Sequence, residues 1–397
     1  MRVHQACAVV AALFLAASVF AHTVALRMLF LAAGMVLASI VVAKGKHVSA
    51  LPPVWVAFLL WAAWALLSLA WSIEPERSLK EWKNEVFYTG GALWICYVGA
   101  QATHALRVFL VVVGSATAVA CGVALYESAR GWEHYLAGWH GGPGDHSSAL
   151  VTLLPCVAVA AWYGSRSGWP RWSALALWTA MAIMLASGYA TLNRTLWLAF
   201  AVQFTLLGGL VLARTPGLSS SSRARLALGA CAIALLLGCG VVLVNIQTER
   251  EAAGGTTLET DNRLALWPQI AHYVQARPWT GYGFGRGLLK GDLQEQFKQV
   301  DRNLWHAHNL FLEALVQLGV PGLALLLALL AVLLREGWRS VRHGNEALAA
   351  CGMALLGVLA GMLVRNMTDS LLVRQNALLF WGVAGVLLAW GSAARRT

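Results

Sequence analysis

The residues best suited to chemistry stand where a long polar stretch meets an apolar run: Asn303-Leu304-Trp305-His306-Ala307-His308-Asn309, followed by Glu313. An imidazole titrates near neutrality, so His308 at such a border is a candidate general base. A satisfied structural histidine is the plainer alternative. His306 and His308 could instead share a zinc ion, but no third ligand stands at metal-type spacing, and no metal is expected. Asp369, in Arg365-Asn366-Met367-Thr368-Asp369-Ser370, is placed either to orient His308 or to pair with Arg365, and both readings stay open.

Two arginines suggest an anionic substrate. Arg194, in Leu192-Asn193-Arg194-Thr195, opens a run that stays apolar to Leu212, where a charge is costly unless paired or used. A snorkelling end residue is the bland reading. Arg263, in Asp261-Asn262-Arg263, offers a guanidinium that can hold phosphate bidentately, or a minor surface ion pair with Glu259 or Asp261. Between these and His308, Gly281, Gly283, Gly285 and Gly287 alternate with Tyr282, Phe284 and Arg286. A dinucleotide site would need a strand before and a helix after such glycines. Gly283 and Gly285 are read instead as backbone able to approach a bulky polar ligand, or as a flexible turn.

The frame that must position these groups is a membrane bundle. Hydrophobic residues make up 59% of the chain and charged residues 12%, against about 25% charged in a soluble domain. Apolar runs of about 20 residues place about twelve spans near 5–21, 24–43, 52–72, 86–101, 105–126, 148–164, 172–187, 192–213, 225–244, 309–334, 347–364 and 376–394. The expected fold is an all-α polytopic membrane protein. Its parts are residues 1–244 with the first nine transmembrane helices, a polar segment at 245–308 with surface helices, and 309–397 with the last three. The first span also resembles a signal peptide, with Arg2 before an apolar run and small residues near Ala21; an uncleaved helix is favoured.

Charge orients the bundle. With both termini in the cytoplasm, the inner segments collect Lys44, Lys46, Arg107, Arg166, Arg171, Arg214, Arg335 and Arg342, with Glu336 and Glu346 as their only acids. Glu74, Glu76, Glu81, Glu85, Glu249, Asp261, Asp292 and Asp301 fall outside. The positive-inside rule therefore puts the 245–308 segment outside the cytoplasm, in a compartment without ATP. The net charge of +11 sits mostly in cytoplasmic loops that meet anionic lipid headgroups, so nucleic acid is not an expected partner. The cysteines lie inside spans as packing residues, and many tryptophans lie near span ends.

Within the polar segment, Leu264, Trp267, Ile270, Ala271 and Val274 recur at helical spacing, although Pro268 should kink the helix or delay its start. Its apolar face suits the headgroup region. Arg277-Pro278 ends it, and a polar helix follows near Asp292 to Arg302. Gly141-Gly142-Pro143-Gly144-Asp145 reads as a loop.

In order and sidedness these features resemble the bacterial O-antigen ligase and O-antigen polymerase superfamily: Arg194 at an outer helix end, Arg263 with Trp267, Gly283 with Gly285, then His308, Asn309 and Glu313 trailed by Gly319 and Gly322. The resemblance spans the whole topology, and the length, with no added C-terminal domain, suits a ligase. It implies a metal-independent, inverting glycosyltransferase without a cofactor. Glycan would pass from undecaprenyl pyrophosphate to a lipid A-core hydroxyl in lipopolysaccharide biosynthesis. Arg194 and Arg263 would bind the pyrophosphate, His308 would act as base, and Gly283, Gly285, Asn309, Glu313 and Asp369 would support them. A polymerase extending the lipid-linked glycan is the rival reading. A polyprenyl-glycan transporter is less favoured, since its ionisable residues belong near mid-membrane, and here only Arg27 looks stranded in a span.

Overall fold

Apolar runs of bilayer length become helices, because only a helix satisfies its own backbone hydrogen bonds in lipid. A computed structural model describes residues 2–44, 53–214, 238–252, 263–297, 304–370 and 372–393 and, at 263–265 and 392–393, the backbone alone. The described helices are α1 (Arg2–Ser18), α2 (Val24–Ala43), α3 (Val54–Leu67, tightening into a 3₁₀ turn Ser68–Trp71), α4 (Pro75–Trp82), α5 (Tyr88–Gly99), α6 (Ala105–Arg130), α7 (Trp132–Ala137), α8 (Gly142–Arg166), α9 (Arg171–Tyr189), α10 (Arg194–Ala213), α11 (Arg263–Ala276), α12 (Lys290–Phe297), α13 (Leu310–Val341), α14 (Glu346–Asn366) and α15 (Arg374–Ala393). A π-helical turn, Lys83–Phe87, links α4 to α5. No strand occurs among the described residues. Eight of these helices are long and apolar enough to cross a membrane, and the chain is an all-α polytopic membrane protein. The expected span at 225–244 lies mostly outside the described residues; from 238 the chain is helical and stays so to 252.

Burial separates the bundle's centre from its rim. α8 and α14 bury 67% and 72% of their apolar windows, whereas α9 buries 17%. Pro155 inside α8 has no N–H, which strands the Val151 carbonyl. Gln203 of α10 fills the gap, its Nε2 donating to Val151 O at 2.8 Å and to Gly357 O of α14 at 3.0 Å. One fully buried amide thus pins three central helices together.

Three local expectations change. The Gly141–Asp145 loop is shorter than read: α8 starts at Gly142, with Pro143 in its first turn, where no N–H is needed. Pro268 does not delay α11, which starts at Arg263 and carries the proline inside it. The apolar face of α11 is also not left for lipid headgroups. Leu266 and Ile270 pack with Leu289, Leu293, Leu304, Ala307 and Val316 into a small second core over the start of α13. Phe297 closes α12, and the expected continuation to Arg302 lies outside the described residues.

α13 is the element that shapes the site. Gly319 leaves helical geometry (φ 64°, ψ −171°) two residues before Pro321. Val320 N turns to Pro278 O at 2.8 Å, and Pro321 has nothing to donate, so the carbonyls of Val316 and Gln317 lose their helical partners. Tyr282 N and Gly283 N take their place at 2.9 and 3.0 Å. Trp64 and Trp71 of α3 and its turn tie the same region down, donating to Leu318 O and Thr280 O.

Candidate active site

His308 sits at the turn into α13 with φ 48°, a conformation rare for a residue with a side chain. Its neighbours hold it there. Asn309 caps α13, its Oδ1 accepting from Phe311 N at 2.9 Å and Leu312 N at 3.1 Å, while its Nδ2 donates to Met367 O at 2.9 Å. That last bond fastens the start of α13 to the end of α14. The His308 N–H donates to His306 Nδ1 at 3.1 Å, and the two rings stack at 3.7 Å.

Asp369 follows α14 and lies across from this turn. Its Oδ1 is 3.7 Å from His308 Nδ1 and accepts from Ser370 N at 2.8 Å. Burial opposes ionisation of Asp369, but the His308 contact and the Arg365 charge outweigh it and hold the carboxyl well below the usual carboxylate range. Both groups open to Asp369 from sequence act on it, His308 at 3.7 Å and Arg365 through its charge. Arg365 also donates to Asn193 Oδ1 at 3.2 Å, to Thr195 Oγ1 and to Ser147 Oγ at 3.0 Å.

Below His308, Glu313 is buried and holds the turn from inside. Its Oε2 accepts from Ala307 N at 2.9 Å and lies 3.6 Å from His306 Nδ1, and its Oε1 accepts from Gln317 Nε2 at 2.9 Å. Burial keeps the His306 ring below the ordinary imidazole range, outweighing the upward pull of Glu313. Gln317 in turn accepts from Gly285 N at 3.0 Å through its Oε1. The close approach that Gly283 permits is to the protein itself: at φ 106° a Cβ there would lie 2.4 Å from Ser72 Oγ. Gly283 and Gly285 therefore seat the loop on α13 and on the turn after α3.

The arginines divide. Arg194 opens α10 and donates to Gln247 Oε1 at 2.9 Å. Its neighbours Asn193 and Thr195 carry the bonds to Arg365, which puts it on the same face as the Asp369 and His308 pair. Arg263 starts α11, and its side chain lies outside the described residues. Arg286 is the guanidinium beside the pair: it donates to Ser370 O at 3.2 Å and lies 5.0 Å over the Trp305 ring. Glu85, on the turn before α5, is pushed up to about 8 by burial and by Glu81, against the pull of Arg286 and Arg374.

Asp369 and Arg286 line a cavity of about 740 Å³ that extends to Arg27, Asp145, Arg374 and Asn376. The ligand atoms of His306, His308 and Asp369 lie within 4.8 Å of one another, so a third potential metal ligand does exist, supplied by a residue 61 positions beyond His308 in the chain. The sequence argument against zinc loses that support.

Residues 179–327 match the O-antigen ligase family. The matched stretch takes in Arg194, the Gly281–Gly287 run, His308, Asn309 and Glu313, and ends within α13. No curated protein matches the chain at a significant level. The match supports O-antigen ligase or polymerase activity for this chain, and with it lipid-linked glycan substrates.

In this O-antigen ligase-like chain several site residues were hidden from sequence reading. Arg286 had a visible signal, a guanidinium inside a glycine run, but nothing local tied it to Ser370. Arg27 was marked as a lone charge in an apolar run. Glu85, Asp145 and Arg374 carried no signal beyond their place near span ends, because what distinguishes them is their partners on other helices.

Proposed function

We propose that the chain is a glycosyltransferase of the ligase branch. It moves glycan from undecaprenyl pyrophosphate to a sugar hydroxyl on the lipid A core, at the periplasmic face of the inner membrane. The reading is carried by one observation: His308, in the family-matched stretch, lies 3.7 Å from an ionised Asp369 that lines a polar cavity. The clustering of ionisable groups at one end of the bundle favours transfer over transport.

A sugar on pyrophosphate is already activated, since its leaving group is a stabilised anion that needs charge neutralisation. His308 takes the acceptor hydroxyl's proton, with Asp369 orienting the ring and stabilising the imidazolium. The hydroxyl oxygen bonds to the anomeric carbon as the bond from that carbon to the phosphate oxygen breaks, and undecaprenyl pyrophosphate leaves with the electron pair. A single displacement inverts the anomeric configuration. Arg194 and Arg263 neutralise the pyrophosphate, and Arg286, fixed by Ser370 and Trp305, adds a third positive charge next to Asp369. The chemistry is read as metal-independent, because metal bound through His306 Nδ1 would break the bond from the His308 N–H that holds the base in place.

The deciding experiment uses purified protein, undecaprenyl pyrophosphate-linked glycan and lipid A-core, with products separated on a gel. A lipopolysaccharide ladder is the expected result. Longer lipid-linked chains would make the protein a polymerase instead.

A further inference from the structure

At the end of the bundle away from His308, the helices leave an apolar cleft between them. α14 ends beside Asp369 and begins at Glu346, which pairs with Arg166 at the end of α8 at 3.0 Å. Next to that pair lies a cavity of about 320 Å³ among Leu106, Tyr163, Trp169, Ala347 and Cys351. A second, of about 140 Å³, continues along α6 and α9 toward the middle of the bundle, past Val113, Thr117, Leu177 and Ala180. Leu110, Cys156, Leu387 and Trp390 line both, so the two form one cleft. Its floor is made of residues buried in the fold, among them Leu153, Val386 and Leu387. Gly114 and Ala118 of α6 are exposed along its edge, so the cleft opens to the surroundings between α6 and α9.

The walls call for a hydrocarbon chain. Thr117 Oγ1 donates to Val113 O at 2.8 Å, Cys156 Sγ to Thr152 O at 3.7 Å and Trp390 Nε1 to Ala100 O at 2.8 Å, so these polar groups are taken up by backbone carbonyls. Water has too few partners in such a cleft, and empty space of this size forfeits packing contacts. The mouth says what the chain is attached to. α6 and α9 both start here, with Arg107 and Arg171 in their first turns, no acidic residue beside them and no side-chain cap. α14, which starts at the same end, has instead the Asn345 cap and Glu346. Arg107 stands one turn before Leu110 on the side of α6 that lines the cleft, and Arg171 follows Trp169. Both arginines are exposed, with no ion-pair partner among the described residues. A guanidinium adds to the positive end of a helix dipole, so an anion there is favoured twice over. Tyr163 and Trp169 meet edge to face at 6.0 Å beside them, as aromatics do at headgroup level. Gly164 makes room for that ring, since a Cβ at 164 would lie 2.7 Å from Trp169 Cε3.

We propose that this cleft holds the acyl chains of an anionic phospholipid from the surrounding bilayer, with its phosphate on Arg107 and Arg171. On the transfer reading above, the lipid-linked donor carries its pyrophosphate at the His308 end, so this mouth serves a different lipid.

The test offers full-length protein in detergent either phosphatidylglycerol or phosphatidylcholine with the same acyl chains, and native mass spectrometry counts the lipid retained. Wild type should prefer phosphatidylglycerol by roughly 30-fold, the effect of two arginines at a headgroup. Arg107→Gln and Arg171→Gln should each remove about 5-fold of that preference. Ala160→Phe fills the cleft from α8 and should lower retention of both lipids with both arginines in place. Arg107 and Arg171 are exposed, so their variants keep the test valid if Ala160→Phe misfolds. Equal retention of the two lipids by wild type, or a preference that survives in the double arginine variant, overturns the site. Polyprenyl phosphate that displaces phosphatidylglycerol from wild type and double variant alike would give the cleft to the donor's chain instead. The measurement involves no glycosyl transfer, so its failure leaves the transfer reading standing, and the reverse holds too.

Discussion

Gly283 donates its N–H to the Gln317 carbonyl at 3.0 Å, the carbonyl that Pro321 leaves without a partner inside α13. The glycine loop and the helix that begins at His308 are thereby a single construction. The loop satisfies the break in the helix, and the break gives the loop its seat.

Gly283→Ala should damage that seat. A Cβ at φ 106° meets Ser72 at 2.4 Å, so backbone strain and overlap add to a loss on the order of 2 kcal/mol or more. Thermal unfolding in detergent should show a lower midpoint, and transfer should fall with it because Gly285 and Arg286 move off Gln317 and Ser370. An unchanged midpoint with normal transfer would mean that the loop does not depend on this contact.

Much of this construction was legible in part. The apolar runs announced their helices because a bilayer demands about 20 residues of one character, and His308 stood out because the polar segment ends there. The links between segments were not legible. Nothing near Gln317 says that residue 283 will answer its carbonyl. Nothing near Asp369 says that it will face His308 while Arg365 turns to Asn193. The apolar face of α11 read as a membrane-surface stripe because its real partners, Leu289 and Leu293, come from the turn before α12 and from α12 itself. Periodicity shows that a face is buried, and it does not show against what.

His308→Ala should lower kcat by about 10²- to 10⁴-fold, the usual worth of a general base, with the protein still inserted and folded. Asp369→Asn keeps the shape and removes the charge that steadies the imidazolium, so kcat should drop with little change in either KM. Because the native carboxyl is held well below the usual carboxylate range, Asp369 keeps its charge from pH 5 upward, and the variant should be slower than wild type at every pH in that range. A variant as fast as wild type would show that the base does not need this charge.

Glu85 predicts a trend of the opposite kind. Its carboxyl is raised from 4.5 to about 8 in the folded protein, so the native state holds a proton that the unfolded state has released. The contribution of this group to stability therefore falls as pH rises from about 4.5 to about 8 and is constant above that. Glu85→Gln cannot ionise and should flatten this part of the stability profile, gaining most over wild type on the alkaline side. Parallel profiles for wild type and variant between pH 5 and 9 would show that Glu85 is ionised throughout.

Chelation separates the two roles open to His306, His308 and Asp369. Their ligand atoms lie within 4.8 Å of one another, close enough for a metal ion. Yet His306 Nδ1 already accepts the His308 N–H and lies 3.6 Å from Glu313. Binding metal through that nitrogen would break the bond that holds His308 at its positive φ, and through it the orientation of the proposed base. Transfer should therefore persist in excess chelator, and added zinc should inhibit by occupying the base. Asp369→Asn should weaken that inhibition by removing one ligand. Activity lost to chelator and restored by zinc would instead make these three residues a metal centre and leave His308 without its role as base.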